Sequence, residues 1–140
     1  MSRLIAATAL ACLLIAGCSS SGGDSSAKAA KTDTPSIPGL KGSVNDHGTK
    51  TVSGGKVEVE LDDDYIGPTF IKAAAGTKLT LELKNGGTKE HNFSLTGTKV
   101  NEDLEPGKAV SVDVTVPDRS TVYFCEYHQA KGMQGGFLVS

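Results

Sequence analysis

The sequence predicts an all-β fold, a two-sheet antiparallel sandwich of about seven to eight strands. From Lys56 onward apolar and polar residues alternate with period two, the pattern of strands that bury one face. Turn residues recur between the alternating runs, at Asn85-Gly86-Gly87, Gly97 and Pro106-Gly107. No window long enough shows the spacing of an amphipathic helix.

The first residues belong to something other than the sandwich. Met1-Ser2-Arg3 runs into an apolar stretch, residues 4–17, that is too short to span a bilayer and has the layout of a secretory signal peptide. It ends in Leu14-Ile15-Ala16-Gly17-Cys18. This resembles the bacterial lipoprotein box, and the resemblance implies that Cys18 is lipidated and becomes the mature N-terminus. A diacyl anchor would supply the two chains that stable membrane attachment needs. Residues 19 to about 38 are mostly Ser, Gly, Ala, Lys, Thr and Asp, with too little apolar surface to offset the entropy of ordering them. They read as a flexible tether. Residues 40–53, interrupted by Gly42 and Gly48, read either as more tether or as a short first strand. The expected organisation is a signal peptide over 1–17, lipidated Cys18 and tether over 18–50, and one folded domain over 51–140, outside the cytoplasm. Roughly 90 residues can build one small core and not two.

Within that domain Val57, Val59 and Leu61 alternate with charged residues and open the first clear strand, 56–61. Residues 65–72 carry Gly67-Pro68, which suits an edge strand or a bulge. Leu79, Leu81 and Leu83 mark 78–84, and Val110, Val112, Val114 and Val116 mark 109–116. Strands are also expected over 91–96, 121–126 and 136–139. The one candidate for a helical turn is the segment 101–104.

A net charge of -2 with no basic stripe argues against a nucleic-acid partner. Tryptophan is absent and aromatics make up 5%, which leaves little from which to build a stacking platform for bases or sugars. The cysteines are more informative. Cys12 lies in the signal and Cys18 at the lipid, so Cys125 is alone in the domain with no disulfide partner. With Met1 lost alongside the signal, Met133 is the remaining thioether. The two sulfurs lie in Cys125-Glu126-Tyr127-His128-Gln129-Ala130-Lys131-Gly132-Met133, a C-x-x-H-x-x-x-x-M spacing at the end of a strand. A loop of this length can fold three donors around one ion. His91 opens another strand and shares its inward face with Phe93 and Leu95, so it is placed to be the fourth. Two imidazoles, a thiolate and a thioether form the donor set of a blue-copper site, whereas zinc normally takes a closed set without a thioether. Taken singly, Cys125 reads rather as a buried thiol, Met133 as core filler, and the histidines as hydrogen-bonded polar groups.

His91-Asn92-Phe93, then Tyr123-Phe124-Cys125 through His128 to Met133, then Gly135-Gly136-Phe137-Leu138-Val139, resemble the cupredoxins of the plastocyanin and pseudoazurin type, over about residues 56–140. The resemblance implies a Greek-key sandwich holding one copper through His91, Cys125, His128 and axial Met133, with Cu(II)/Cu(I) cycling and no catalysis. It further implies that electrons leave through the edge of His128, ringed by Ala130, Gly132 and Gly135, and that Asn92 ties the two ligand loops together. The expected partners are a redox protein and, through the lipid, a membrane; the chain is expected to act as a monomer. Two other readings remain open: capture and delivery of extracytoplasmic copper to a membrane oxidase, and a structural lipoprotein without metal. His47 falls outside the pattern and reads as a solvated histidine or a secondary metal donor. Asp62-Asp63-Asp64 reads as a charged turn or as an acidic docking patch for a basic partner.

Overall fold

The computed structural model describes residues 34–140, and the signal segment, Cys18 and residues 19–33 of the expected tether lie outside them. Among the described residues ten strands form two sheets. The six-stranded sheet runs β1 (Thr49–Thr51), β4 (Phe70–Ala73), β10 (Gln134–Val139), β9 (Thr121–Phe124), β6 (His91–Leu95), β7 (Asn101–Leu104). The four-stranded sheet runs β3 (Tyr65–Gly67), β2 (Gly55–Asp62), β5 (Lys78–Asn85), β8 (Ala109–Thr115). No helix among the described residues is long and apolar enough to cross a membrane.

The period-two pattern puts the residues marked by alternation where it predicts. Val57, Val59, Leu61, Leu79, Leu81 and Leu83 face Ile71, Phe93, Leu95, Tyr123 and Phe137 across one core, all at most 3% exposed. A smaller cluster of Ile37, Phe70 and Val122 covers the other face of the six-stranded sheet, with Leu40, Val44, Phe124 and Leu138 at its margin. Residues 37–44 therefore lie on the sheet, and the lead-in left open between tether and strand supplies β1.

Three expectations need correction. The sheets are mixed rather than antiparallel, because β1 and β10 both run parallel to β4, and β2 runs parallel to β5. After β2 the chain makes the β3 hairpin, crosses to the other sheet as β4 and returns as β5 beside β2 in the same direction. Alternation is blind to this, since parallel and antiparallel strands share the period of two. Residues 65–72 form two strands in different sheets, divided at Pro68, which has no N–H to offer a ladder. Residues 101–104 are strand β7, not a helical turn. Leu104 is buried opposite His91, and Asn101 pairs with Ser94 in the β6–β7 ladder.

Tyr123 joins the two halves of the divided segment to β9. Its buried hydroxyl donates to the carbonyls of Pro68 at 3.1 Å and Thr69 at 3.0 Å. Burial pushes the phenol far above its ordinary pKa, so it remains a donor. Tyr123→Phe is expected to lower stability by about 1–3 kcal/mol by removing the buried donor to these carbonyls, of which Thr69 keeps its bond from Gly136 N–H, read as a lower urea midpoint with unchanged far-ultraviolet dichroism. An unchanged midpoint would show that the bonds contribute nothing net.

Candidate metal centre

Cys125 follows β9 directly, and the loop from it to β10 folds by successive backbone bonds. His128 N–H donates to the Cys125 carbonyl at 3.3 Å and Lys131 N–H to the His128 carbonyl at 2.9 Å. Gln129–Lys131 make one 3-10 turn, which ends at Gly132 with φ of 96°. That left-handed value suits glycine and turns the chain back toward β10. Met133 N–H then reaches the His128 carbonyl at 3.3 Å, and Cys125 N–H reaches the Met133 carbonyl at 3.0 Å. His91 arrives separately, because β6 pairs with β9 with Ser94 opposite Phe124, which sets the start of β6 beside the loop.

The result brings His91, Cys125 and His128 together, with one ligand atom from each within 4.8 Å of the others. His91 Nδ1 and His128 Nδ1 are 3.2 Å apart, and Cys125 Sγ is 3.6 Å from His128 Nδ1. Nitrogen donors about 2.0–2.1 Å and a sulfur about 2.3 Å from one shared ion, at angles of about 100–110°, would be separated by such distances. The residues present therefore fit a single soft or borderline metal ion. His91, Cys125 and Met133 are fully buried, while His128 is half-buried and is the ligand ring that meets the surface. Met133 packs in the same core cluster as Cys125.

The groups around the site are fixed by hydrogen bonds. Asn92 N–H donates to Cys125 Sγ at 3.3 Å. The Asn92 carboxamide donates to Asn101 Oδ1 at 2.7 Å and Asp103 Oδ1 at 2.8 Å, and accepts from Ser94 Oγ at 2.7 Å and Glu126 N–H at 3.4 Å. It thus links β6, β7 and the Cys125 loop, as the resemblance implies. His91 Nε2 lies 3.2 Å from Asp63 Oδ1. Tyr127, half exposed between Cys125 and His128, donates to Asp103 at 2.8 Å, and this bond with burial and nearby carboxylates raises its pKa to about 12.

Other expectations fare unevenly. Of the small residues expected to ring His128, Ala130 is exposed but Gly132 and Gly135 are buried. A Cβ on Gly135 would collide with the Thr69 carbonyl, so this glycine serves close packing. His47 is exposed and stacks on Tyr65 with ring centroids 3.6 Å apart, outside the group of three. Asp62, Asp63 and Asp64 are half-buried and engaged within the chain. Asp62 accepts from Tyr65 at 3.1 Å, Asp63 from Thr88, and Asp64 lies 3.8 Å from Lys131. The sequence holds no sign of the Asp63 contact with His91, because Asp63 reads as one of three equivalent charges 28 residues away. Asn45 was also missed: it donates to the Lys131 carbonyl at 3.0 Å from a segment without a legible pattern.

A model of the cupredoxin-like domain matches residues 40–139, and the chain belongs to that family. Dithionite-reduced auracyanin from the photosynthetic bacterium Roseiflexus castenholzii is similar in structure, with TM-score 0.54 and 17% identity over 64% of this chain and 98% of that one. Auracyanin B gives 0.54 and 20% over 61% of this chain and 88% of that one. A multicopper oxidase gives 0.52 and 17% over 61% of this chain but 41% of its own length. These identities bear on the fold. No curated protein sequence matches the chain. The family and the His-Cys-His group together support one copper ion per chain.

Burial first, and then the neighbouring His91 ring, hold His128 below the ordinary histidine pKa of 6.5. A metal takes neutral imidazole, so protons compete only below the depressed value. In the metal-free chain the His128 ring is therefore expected to take its proton only below the ordinary histidine value, so that its competition with a metal sets in at lower pH than for a free imidazole. A proton NMR titration of the His128 ring checks this; a midpoint at or above the ordinary value would contradict it.

Proposed function

We propose that the chain is a type 1 copper protein that carries single electrons outside the cytoplasm and is not an enzyme. The observation that carries this is the convergence of His91, Cys125 and His128 donors inside a cupredoxin-like fold. In this reading Met133 is the fourth, axial donor, supported by its full burial in the cluster that holds Cys125. Copper held by such a set supplies a one-electron Cu(II)/Cu(I) couple. The chain's own residues do the rest. Fully buried His91 and Cys125 keep water out, and four protein donors leave no open position for a substrate. Asn92 and the loop bonds hold the donors in one geometry, so that little has to move when the charge changes. His128, half-buried, offers its ring edge to a redox partner.

The soluble head would be held at a bacterial membrane by lipid on Cys18 after removal of residues 1–17, with the segment beyond as a tether. This rests on the sequence pattern alone.

Copper titration of the purified chain is expected to give an intense visible charge-transfer band saturating at one copper per chain, lost in Cys125→Ser. A colourless wild-type complex would overturn the reading. A blue complex that surrenders its copper readily to an acceptor peptide would favour delivery over electron carriage. Cys18→Ser is expected to move the chain from the membrane fraction to the soluble extract without altering the band; equal partition of the two forms would overturn the anchor.

A further inference from the structure

His91 is fully buried, and what fixes its ring lies outside the ligand set. Nδ1 points toward His128 Nδ1 at 3.2 Å, while Nε2, across the ring, lies 3.2 Å from Asp63 Oδ1. That carboxylate belongs to the turn between β2 and β3 and is itself immobilised. It accepts from Thr88 N–H at 3.0 Å and Thr88 Oγ1–H at 2.6 Å, and Lys89 Nζ stands 3.9 Å away. Gly87 closes the arrangement. A Cβ there would fall 2.6 Å from Asp63 Oδ1 and 2.8 Å from His91 Nε2, so glycine is what allows the backbone to cover this contact. Two separate features, a pinned carboxylate and a backbone without a side chain, thus converge on one ring nitrogen.

We propose that Asp63 is the positioning residue of the metal centre: it holds the proton of His91 on Nε2, so that Nδ1 presents its lone pair to the ion, and its charge favours Cu(II) over Cu(I). The inference rests on the copper reading above and deepens it. The first half is hydrogen-bond logic. A carboxylate only accepts, so the nitrogen facing it carries the hydrogen and the opposite nitrogen is left free to ligate. The second half is electrostatic. A negative charge one imidazole away from the ion stabilises the higher of two positive charges. Asp63 lies outside the group of three donors and contacts His91 Nε2, so its influence passes through His91.

The test uses the full chain with Asp63→Asn, Asp63→Ala, Gly87→Ala and, as a control for the turn, Thr88→Val. Asparagine keeps an acceptor for Nε2–H but removes the charge. The blue band should persist in Asp63→Asn while the ratio of Cu(II) to Cu(I) affinity falls about tenfold, which is an upward potential shift of about 59 mV for a one-electron couple. Gly87→Ala, which pushes carboxylate and ring apart, should move the potential the same way. Thr88→Val should lower thermal stability without shifting the potential comparably. In the metal-free chain, long-range proton–nitrogen NMR should read His91 as the Nε2–H tautomer in wild type and as a mixture in Asp63→Ala. If Asp63→Ala does not fold, Asp63→Asn and Gly87→Ala decide. A blue wild type whose potential is unmoved by Asp63→Asn and Gly87→Ala would overturn the proposal, as would an Nδ1–H tautomer in wild type. A wild type that takes up no blue copper would instead overturn the copper reading and with it the effect on the couple, and the tautomer measurement would then decide the positioning role.

Discussion

The bond from Cys125 N–H to the Met133 carbonyl, 3.0 Å long, is the constraint on which the metal centre depends. It extends the β9–β10 ladder by one step past the pairing of Phe124 with Gln134 and so converts the eight residues after Cys125 into a closed loop. Sheet register then decides which donors can meet. A slip of one residue between β9 and β10 would turn Cys125 to the opposite face of the sheet. The same β9 pairs on its other side with β6, which is how His91, distant in sequence, reaches the loop. The donors are held by the ladders of one sheet, and the four-stranded sheet supplies the apolar wall behind them.

Polar groups this close to a core are tolerable only if they are satisfied, and around Cys125 they are. Every hydrogen-bonding position of the Asn92 carboxamide is used, on partners from β7, β6 and the loop. Asp103, which accepts one of these bonds from Asn92 and another from Tyr127, has its pKa lowered by them and remains charged. The network makes β7, a four-residue strand with only Leu104 buried, part of the support for the metal loop.

Much of this was legible in the sequence because it is written locally. Alternation of Leu79, Leu81 and Leu83 reports a buried face whatever lies beside it, and the Cys125 to Met133 spacing lies within one loop. What was hidden depends on partners. The direction of β2 relative to β5 has no signature in either strand, and residues 101–104 become a strand because Leu104 and Asn101 find β6. Asp63 and Gly87 each look like ordinary turn residues until the fold sets both against His91. Gly135, which the resemblance placed in the ring around His128, is small because a carbonyl passes over it.

The lead-in before β1 is fastened directly to the ligand loop. Gln134 exchanges hydrogen bonds with the backbone of Lys41 and Ser43, Asn45 N–H donates to the Gly132 carbonyl at 3.0 Å, and the Asn45 side chain bridges the carbonyls of Asp64 and Lys131. The segment therefore acts as a strap across the end of the molecule where His128 surfaces. Tension applied from the N-terminal side is borne by these bonds before it reaches β1, so residues 41–45 are mechanically in series with the metal loop.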